Sequence, residues 1–341
     1  MDFVSLCEAT LKRFGFDHYG LTPMARPLSM DVYRLWLQKG YEADMAYLRT
    51  HEALKDEPKK FAPRAQTAIV VAKRYYPHPY GTPPLGARIA LYAHGDDYHQ
   101  KFKSELEGVA RELGSICVNE EFLCFTDSAP ILERDLAYRA GLGWFGKNTC
   151  LIHPQKGSLF FIGQILTSMA LEKDREVSAV ADMCGTCDRC IRSCPTGAIE
   201  EPRVLNANKC ISYWTIEAKN AAPTELREKF GDWFFGCDIC QTVCPWNEKV
   251  FGRNSMRELS DTQQTPLLED LRWILNASRN EISRKLKNSP LLRARPFGLK
   301  RNALIVIGNL RIIELAPEVE RCLAHEDLKE VAEWTSRQLR F

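Results

Sequence analysis

Eight of the chain's 13 cysteines crowd between Cys184 and Cys244, and this constrains the fold more than any other feature of the 341 residues. The first run reads Cys184-Gly-Thr-Cys187-Asp-Arg-Cys190-Ile-Arg-Ser-Cys194-Pro195, a C-x2-C-x2-C-x3-C-P spacing. The second reads Cys237-Asp-Ile-Cys240-Gln-Thr-Val-Cys244-Pro245. The opening Met1-Asp2-Phe3-Val4-Ser5 has no basic segment leading into an apolar one, so no secretory signal is expected. In a reducing cytosol disulfides rarely persist, and clustered thiols there point to metal or redox chemistry.

The spacing selects among metals. Three thiolates on one tight loop suit three irons of a 4Fe–4S cubane, while the fourth cysteine, followed by proline, reaches a second cluster, as in bacterial ferredoxins. The second run lacks a first cysteine at the usual place, and Cys210 is the nearby candidate. One cluster is therefore assigned to Cys184, Cys187, Cys190 and Cys244, the other to Cys194, Cys210, Cys237 and Cys240. Zinc is the alternative, but structural zinc uses paired C-x2-C knuckles in closed tetrahedral sites, which a triple run with two Cys-Pro endings fits poorly. Cys7, Cys117, Cys124, Cys150 and Cys322 read as small buried residues.

Around this stretch the chain reads as an α+β multidomain protein. Residues 1–175 alternate helical and strand signals, with apolar helical spacing at Phe3, Leu6, Cys7, Leu11 and Phe14 and again at Tyr98, Phe102, Leu106, Val109 and Leu113. Thr67–Lys73, Phe122–Thr126, Thr149–Ile152 and Ser158–Leu166 read as strands, and Tyr76 to Pro84 as a proline-rich loop. The pattern predicts an α/β sandwich. Residues 176–250 form the ferredoxin-like two-cluster domain, and 255–341 read as paired short helices of HEAT-like character. A net charge of +2 excludes a polycation but not a local basic face. The longest apolar stretches fall far short of the roughly 20 residues that cross a bilayer.

Two motifs invite over-reading. Gly141-Leu-Gly143-Trp-Phe-Gly146 spells G-x-G-x-x-G, but a helical stretch, Ile131–Ala140, precedes it where a dinucleotide fingerprint needs a strand. A helix-terminating glycine turn is the simpler expectation. Asp127, between a strand and that helix, could be its cap. His51, His78, His94, His153 and His325 show no ligand spacing.

In combination and order, Gly95–His99, Asp127–Pro130 with Glu133-Arg134, Ala140–Asn148, the cysteine runs, Asn206–Trp214, Gly236–Pro245 and Arg301–Leu304 resemble the epoxyqueuosine reductase family of tRNA modification, from about residue 1 to 310. The resemblance implies cobalamin with its nucleotide base off cobalt, and the incomplete D-x-H-x-x-G at Asp97-Tyr98-His99 agrees. It implies reduction of epoxyqueuosine at the tRNA wobble position to queuosine. Cob(I)alamin fed by the clusters would be the reductant and Asp127 the proton donor, its pKa raised by burial. Arg134, Lys147 and Tyr98 would lie near the pocket. Ser158, Ser212, Gly236, Cys237 and Asp238 are carried over as cofactor contacts. Leu91 and Lys55 stand where the family often has Arg.

From Ile282 to Ile313 there are eight basic residues and no acidic one before Glu314: Arg284, Lys285, Lys287, Arg293, Arg295, Lys300, Arg301 and Arg311. This stretch is expected to meet tRNA phosphates, with splayed anticodon bases stacked on Trp144 or Trp214. The expected partners are epoxyqueuosine-bearing tRNA and an external low-potential donor of flavodoxin or ferredoxin type, with no membrane, for a cytoplasmic monomer. The alternatives are a reductive dehalogenase-like corrinoid enzyme and a ferredoxin-like carrier without a substrate of its own.

Overall fold

The computed structural model describes residues 2–77, 80–171, 180–259 and 265–340. The expected boundary at residue 175, and His78, lie outside them. The fold is α+β, in two compact units that are not consecutive stretches. One comprises Met1–Pro79, Tyr98–Asp188 and Pro202–Val204; the other comprises Tyr80–Asp97, Arg189–Glu201 and Leu205–Phe341.

The first unit is built on a four-stranded antiparallel sheet of β1 (Tyr19–Pro23), β2 (Thr67–Arg74), β3 (Phe122–Phe125) and β4 (Phe160–Thr167), in the order β1-β2-β4-β3. β2 and β4 pair along their whole length, from Thr67 opposite Thr167 to Arg74 opposite Phe160. Both are buried on two faces and so read as unbroken apolar runs rather than alternating ones. Alternate residues still separate the faces. Beside Tyr98 and Phe102 of helix α2 (Tyr98–Ile116) lies Phe161, and Gly163 leaves room for Phe102 and Leu106. On the other face Ala68, Val70, Ala72, Phe160 and Leu166 share a core with Leu136 and Ala137 of helix α3 (Glu133–Arg139). Helix α1 (Phe3–Arg13), capped by Asp2 on the Ser5 amide at 2.9 Å, packs on α2.

Helix α3 is short but firmly held. Asp135 and Arg139, 1% and 4% exposed, form a 2.8 Å ion pair. Asp135 also accepts from the Ser29 amide and hydroxyl at 2.8 Å, and Arg139 donates to the Pro23 carbonyl at 2.8 Å. A buried pair with these further hydrogen bonds fixes position more than it adds stability. The helix ends with the Gly141 amide on the Tyr138 carbonyl and the Leu142 amide on the Ala137 carbonyl, with Gly141 at φ +80°. That bond pair is a Schellman turn. The G-x-G-x-x-G string thus ends a helix and leads into a hairpin of Trp144–Phe145 and Leu151–Ile152.

In the second unit one core runs through Leu85, Ala90, Ile211, Phe230 and Phe234 into Leu271, Leu304 and Trp334. The helical tail shares that core: its longest helix, α4 (Arg295–Leu310), is buried along most of its length and packs on Trp233–Phe235 and on α5 (Glu326–Leu339). Among the described residues no helix is long and apolar enough to cross a membrane.

Candidate active site and cluster-binding cysteines

Asp127 follows the edge strand β3, where the first turns of α2 and α3 come together. It is not a helix cap, because α3 begins only at Glu133, behind Leu132. Its backbone has φ +56°, a left-handed conformation that Asp tolerates better than most residues but that still needs holding in place. Tyr98 donates its hydroxyl to Asp127 Oδ2 at 2.7 Å, and His99 Nε2 lies 3.5 Å from the same oxygen. The Tyr98 ring is clamped, 4.1 Å from Phe161 and nearly parallel to it. The carboxylate itself is 64% exposed.

The electrostatics differ from the sequence-based expectation. The surrounding protein presses the Asp127 pKa upward, but the hydrogen bonds from His99 and Tyr98 outweigh that and hold it below the usual carboxylate value. The raised carboxyl is Glu133: burial first, and the Asp127 charge second, push it up to about 8. Sequence reasoning missed Glu133 as a site residue, because an acid in a helix's first turn is ordinary. Its Oε1 accepts the Asp127 backbone amide at 2.7 Å. Lys55, 5% exposed and lying over the Tyr33 ring, contributes a positive charge to the Glu133 environment.

The other carried-over residues scatter. Arg134 donates to the Thr149 carbonyl at 2.6 Å and Lys147 to the Gly185 carbonyl at 2.7 Å. Ser158 is buried. In the second unit Asp238, 2% exposed, accepts the Leu91 amide at 2.6 Å, and burial raises it to about 6. The Gly236 amide donates to Thr215 Oγ1 at 2.9 Å.

Among the described residues no disulfide joins any of the cysteines. Cys194, Cys210 and Cys237 lie close enough to influence one another electrostatically, and each sulfur has at least one donor beside it. Cys194 Sγ takes the Ala198 amide at 3.3 Å and meets Thr196 Oγ1 at 3.5 Å. Cys210 is served by the Ser212 and Tyr213 amides and by the Ser212 side chain, and Cys237 by the Ile239 amide. Burial pushes the Cys210 and Cys237 thiols up, so the pocket favours thiolates only beside compensating positive charge, which cluster iron supplies. In the first unit the Trp144 indole donates to Cys184 Sγ at 3.5 Å. Trp144 is 1% exposed and is therefore no platform for a nucleic-acid base. Of the five cysteines outside the proposed ligand set, Cys7 and Cys322 are buried, while Cys117, Cys124 and Cys150 are only half-buried.

The basic stretch divides. Arg301 is 7% exposed and donates to the Ala218 carbonyl at 2.8 Å and to that of Lys219. Half-buried Lys300 donates to the Leu275 carbonyl at 2.9 Å. Both serve carbonyls at or just beyond helix ends, a structural use of positive charge. Arg284, Lys285, Lys287, Arg293 and Arg295 are exposed, with Lys285 3.9 Å over the Trp273 ring and Arg293 paired to Glu217 at 2.9 Å. Trp214 is half-buried, its indole donating to the Asn208 carbonyl at 2.8 Å.

A family model described as 4Fe-4S double cluster binding domain matches residues 183–247, and one described as Epoxyqueuosine reductase QueG, DUF1730 matches residues 56–128. An epoxyqueuosine reductase of Cyclobacterium marinum is 35% identical over 307 residues, covering 87% of this chain and 94% of the relative. The chain belongs to the epoxyqueuosine reductase family. Another member, from Francisella cf. novicida (strain Fx1), is 36% identical over 288 residues, 81% of this chain and 78% of the relative. An epoxyqueuosine reductase solved with an epoxyqueuosine-modified stem loop of tRNA-Tyr superposes with a TM-score of 0.82 at 27% identity, covering 98% of this chain and 89% of the other. A Bacillus subtilis epoxyqueuosine reductase, solved with its catalytic aspartate loop swung out of the active site, gives 0.81 at 26% identity, covering 99% and 91%.

Proposed function

We propose that this chain reduces epoxyqueuosine to queuosine at the wobble position of tRNA, with Asp127 as the acid. Family membership supports the substrate, and the observation that carries the residue assignment is the Asp127 carboxylate held by Tyr98 and His99 on a strained turn. Removing an epoxide oxygen to leave an alkene takes two electrons and two protons and releases water. Cobalamin, reduced through two 4Fe–4S clusters, supplies the electron-rich centre for that chemistry when bound. Asp127 delivers a proton to the departing oxygen. In the resting site Asp127 carries the charge and Glu133 the proton, so Asp127, whose side chain is 64% exposed, takes up a proton from solvent before it acts as the acid. Tyr98 fixes the orientation of the Asp127 carboxylate.

The clusters take Cys184, Cys187, Cys190 and Cys244 for one and Cys194, Cys210, Cys237 and Cys240 for the other, supported by the spacing and by the neighbouring donors at Cys194, Cys210 and Cys237. The first unit is read as the cobalamin-binding α/β sandwich and the tail as a HEAT-like helical array that meets tRNA through Arg284, Lys285, Lys287, Arg293 and Arg295. Electrons come from a low-potential flavodoxin- or ferredoxin-type donor, and the enzyme works as a cytoplasmic monomer. The deciding experiment incubates anaerobically reconstituted protein with cobalamin, reductant and epoxyqueuosine-bearing tRNA and identifies the nucleosides by mass. Queuosine is the expected product; unchanged epoxyqueuosine with fully loaded clusters and cobalamin overturns the proposal.

A further inference from the structure

We infer that Glu133 is the positioning residue of Asp127: its carboxyl group holds the Asp127 backbone amide and so keeps the acid's turn in the one conformation that brings its side chain to Tyr98 and His99. This deepens the proposed reaction and rests on Asp127 being its acid.

The geometry forms a chain of supports. Gln164 is fully buried in β4, directly opposite Phe125 in the sheet register. Its amide is turned so that the nitrogen donates to the Phe125 carbonyl at 3.3 Å and to Glu133 Oε1 at 2.9 Å. The same Oε1 accepts the Asp127 amide at 2.7 Å. One carboxyl oxygen thus ties the interior of the sheet to the turn beyond its edge strand. Thr126, 2% exposed, gives a second tie, its hydroxyl donating to the Ile162 carbonyl at 3.1 Å. Glu133 has little freedom of its own, because α3 is pinned two and six residues later by Asp135 and Arg139.

A packing role alone would not call for this residue. Placing one carboxyl beside another is unfavourable, and the groups felt by Glu133 include the Asp127 charge along with Arg134 and His99. Burial beside the Asp127 charge makes Glu133 keep its proton, a cost that an apolar side chain would not carry. What a carboxyl or carboxamide adds is an acceptor for the one amide that leads into the left-handed residue. Without it, the turn can relax toward the ordinary backbone region and carry the Asp127 side chain away from Tyr98.

The test uses the purified iron–sulfur protein without cobalamin and reads hydrogen–deuterium exchange across Phe122–Leu132. In Glu133→Ala the Asp127 amide should exchange about tenfold faster, the worth of one hydrogen bond. Glu133→Gln, which keeps an acceptor oxygen, should restore most of the protection. With cobalamin and tRNA, Glu133→Ala should lower kcat by up to about 10²-fold, a cost typical of a misplaced catalytic group, and leave the KM for tRNA unchanged. Unchanged Asp127 exchange in Glu133→Ala overturns the inference, and so does faster exchange throughout β2 and β4, which marks a general packing role. Glu133→Gln behaving like Glu133→Ala also overturns it. Full turnover by Asp127→Asn would instead strike the acid assignment, leaving the exchange result to stand by itself.

Discussion

At neutral pH the charge of the Asp127–Glu133 pair rests on Asp127, because Tyr98 and His99 hydrogen-bond that carboxylate, whereas Glu133 is desolvated and faces a like charge. Asp127→Asn removes the group that takes up and delivers the proton but changes little volume. It should lower epoxide reduction by about 10²- to 10⁴-fold, the usual range for a positioned acid, with iron content unchanged. Glu133 also leaves a mark on stability. Its folded pKa is raised to about 8 above its ordinary 4.5, so its contribution is present below that ordinary value and lost as pH rises through 8. Tm measured between pH 5 and pH 9 should fall more steeply in the native protein than in Glu133→Gln; parallel curves would contradict this. The position of Asp127 between strand and helix was visible in the sequence, but its partners were not. Tyr98 is 29 residues away along the chain and Gln164 is 37, and only the strand register and the two helix starts bring them together.

At the scale of elements, what could be read depended on how many faces each one buries. β2 and β4 stand out as apolar runs because helices cover the sheet on both sides, and α2 shows its stripe because it covers only one. Tyr19–Pro23 gave no such signal: five residues with a glycine and a closing proline are too few for a pattern, although Gly20 is needed there, since a Cβ would meet the Ala140 carbonyl oxygen at 2.0 Å. The basic stretch shows the opposite limit. Absence of acids marks a charged segment but does not separate cations that meet phosphates from cations that serve carbonyls at helix ends. The structure separates them, and the variants should too. Reversing Lys285, Lys287 and Arg295 to Glu should weaken tRNA binding and lower its salt slope by roughly one unit for each phosphate left unneutralised, measured by filter binding at several salt concentrations. Arg301→Ala should instead lower Tm, because two carbonyls are deprived of their buried donor.

For the whole molecule, the cysteine spacing makes a quantitative statement about metal. Iron and acid-labile sulfide should each approach about eight per chain after anaerobic reconstitution. Cys210→Ala should bring iron to about four, with loss of one cluster's spectroscopic signal, while Cys322→Ala should leave iron unchanged. Iron still near eight in Cys210→Ala would remove Cys210 from the ligand set. The interleaving of the two compact units has a consequence for synthesis. Leu85, Ala87, Ile89 and Ala93 leave the ribosome long before Phe234, Leu271 and Leu304, the residues that cover them. A nascent chain stalled between those points carries an uncovered apolar segment within an otherwise maturing sheet unit, so the interval of greatest exposure to chaperones should come midway through translation rather than at its end.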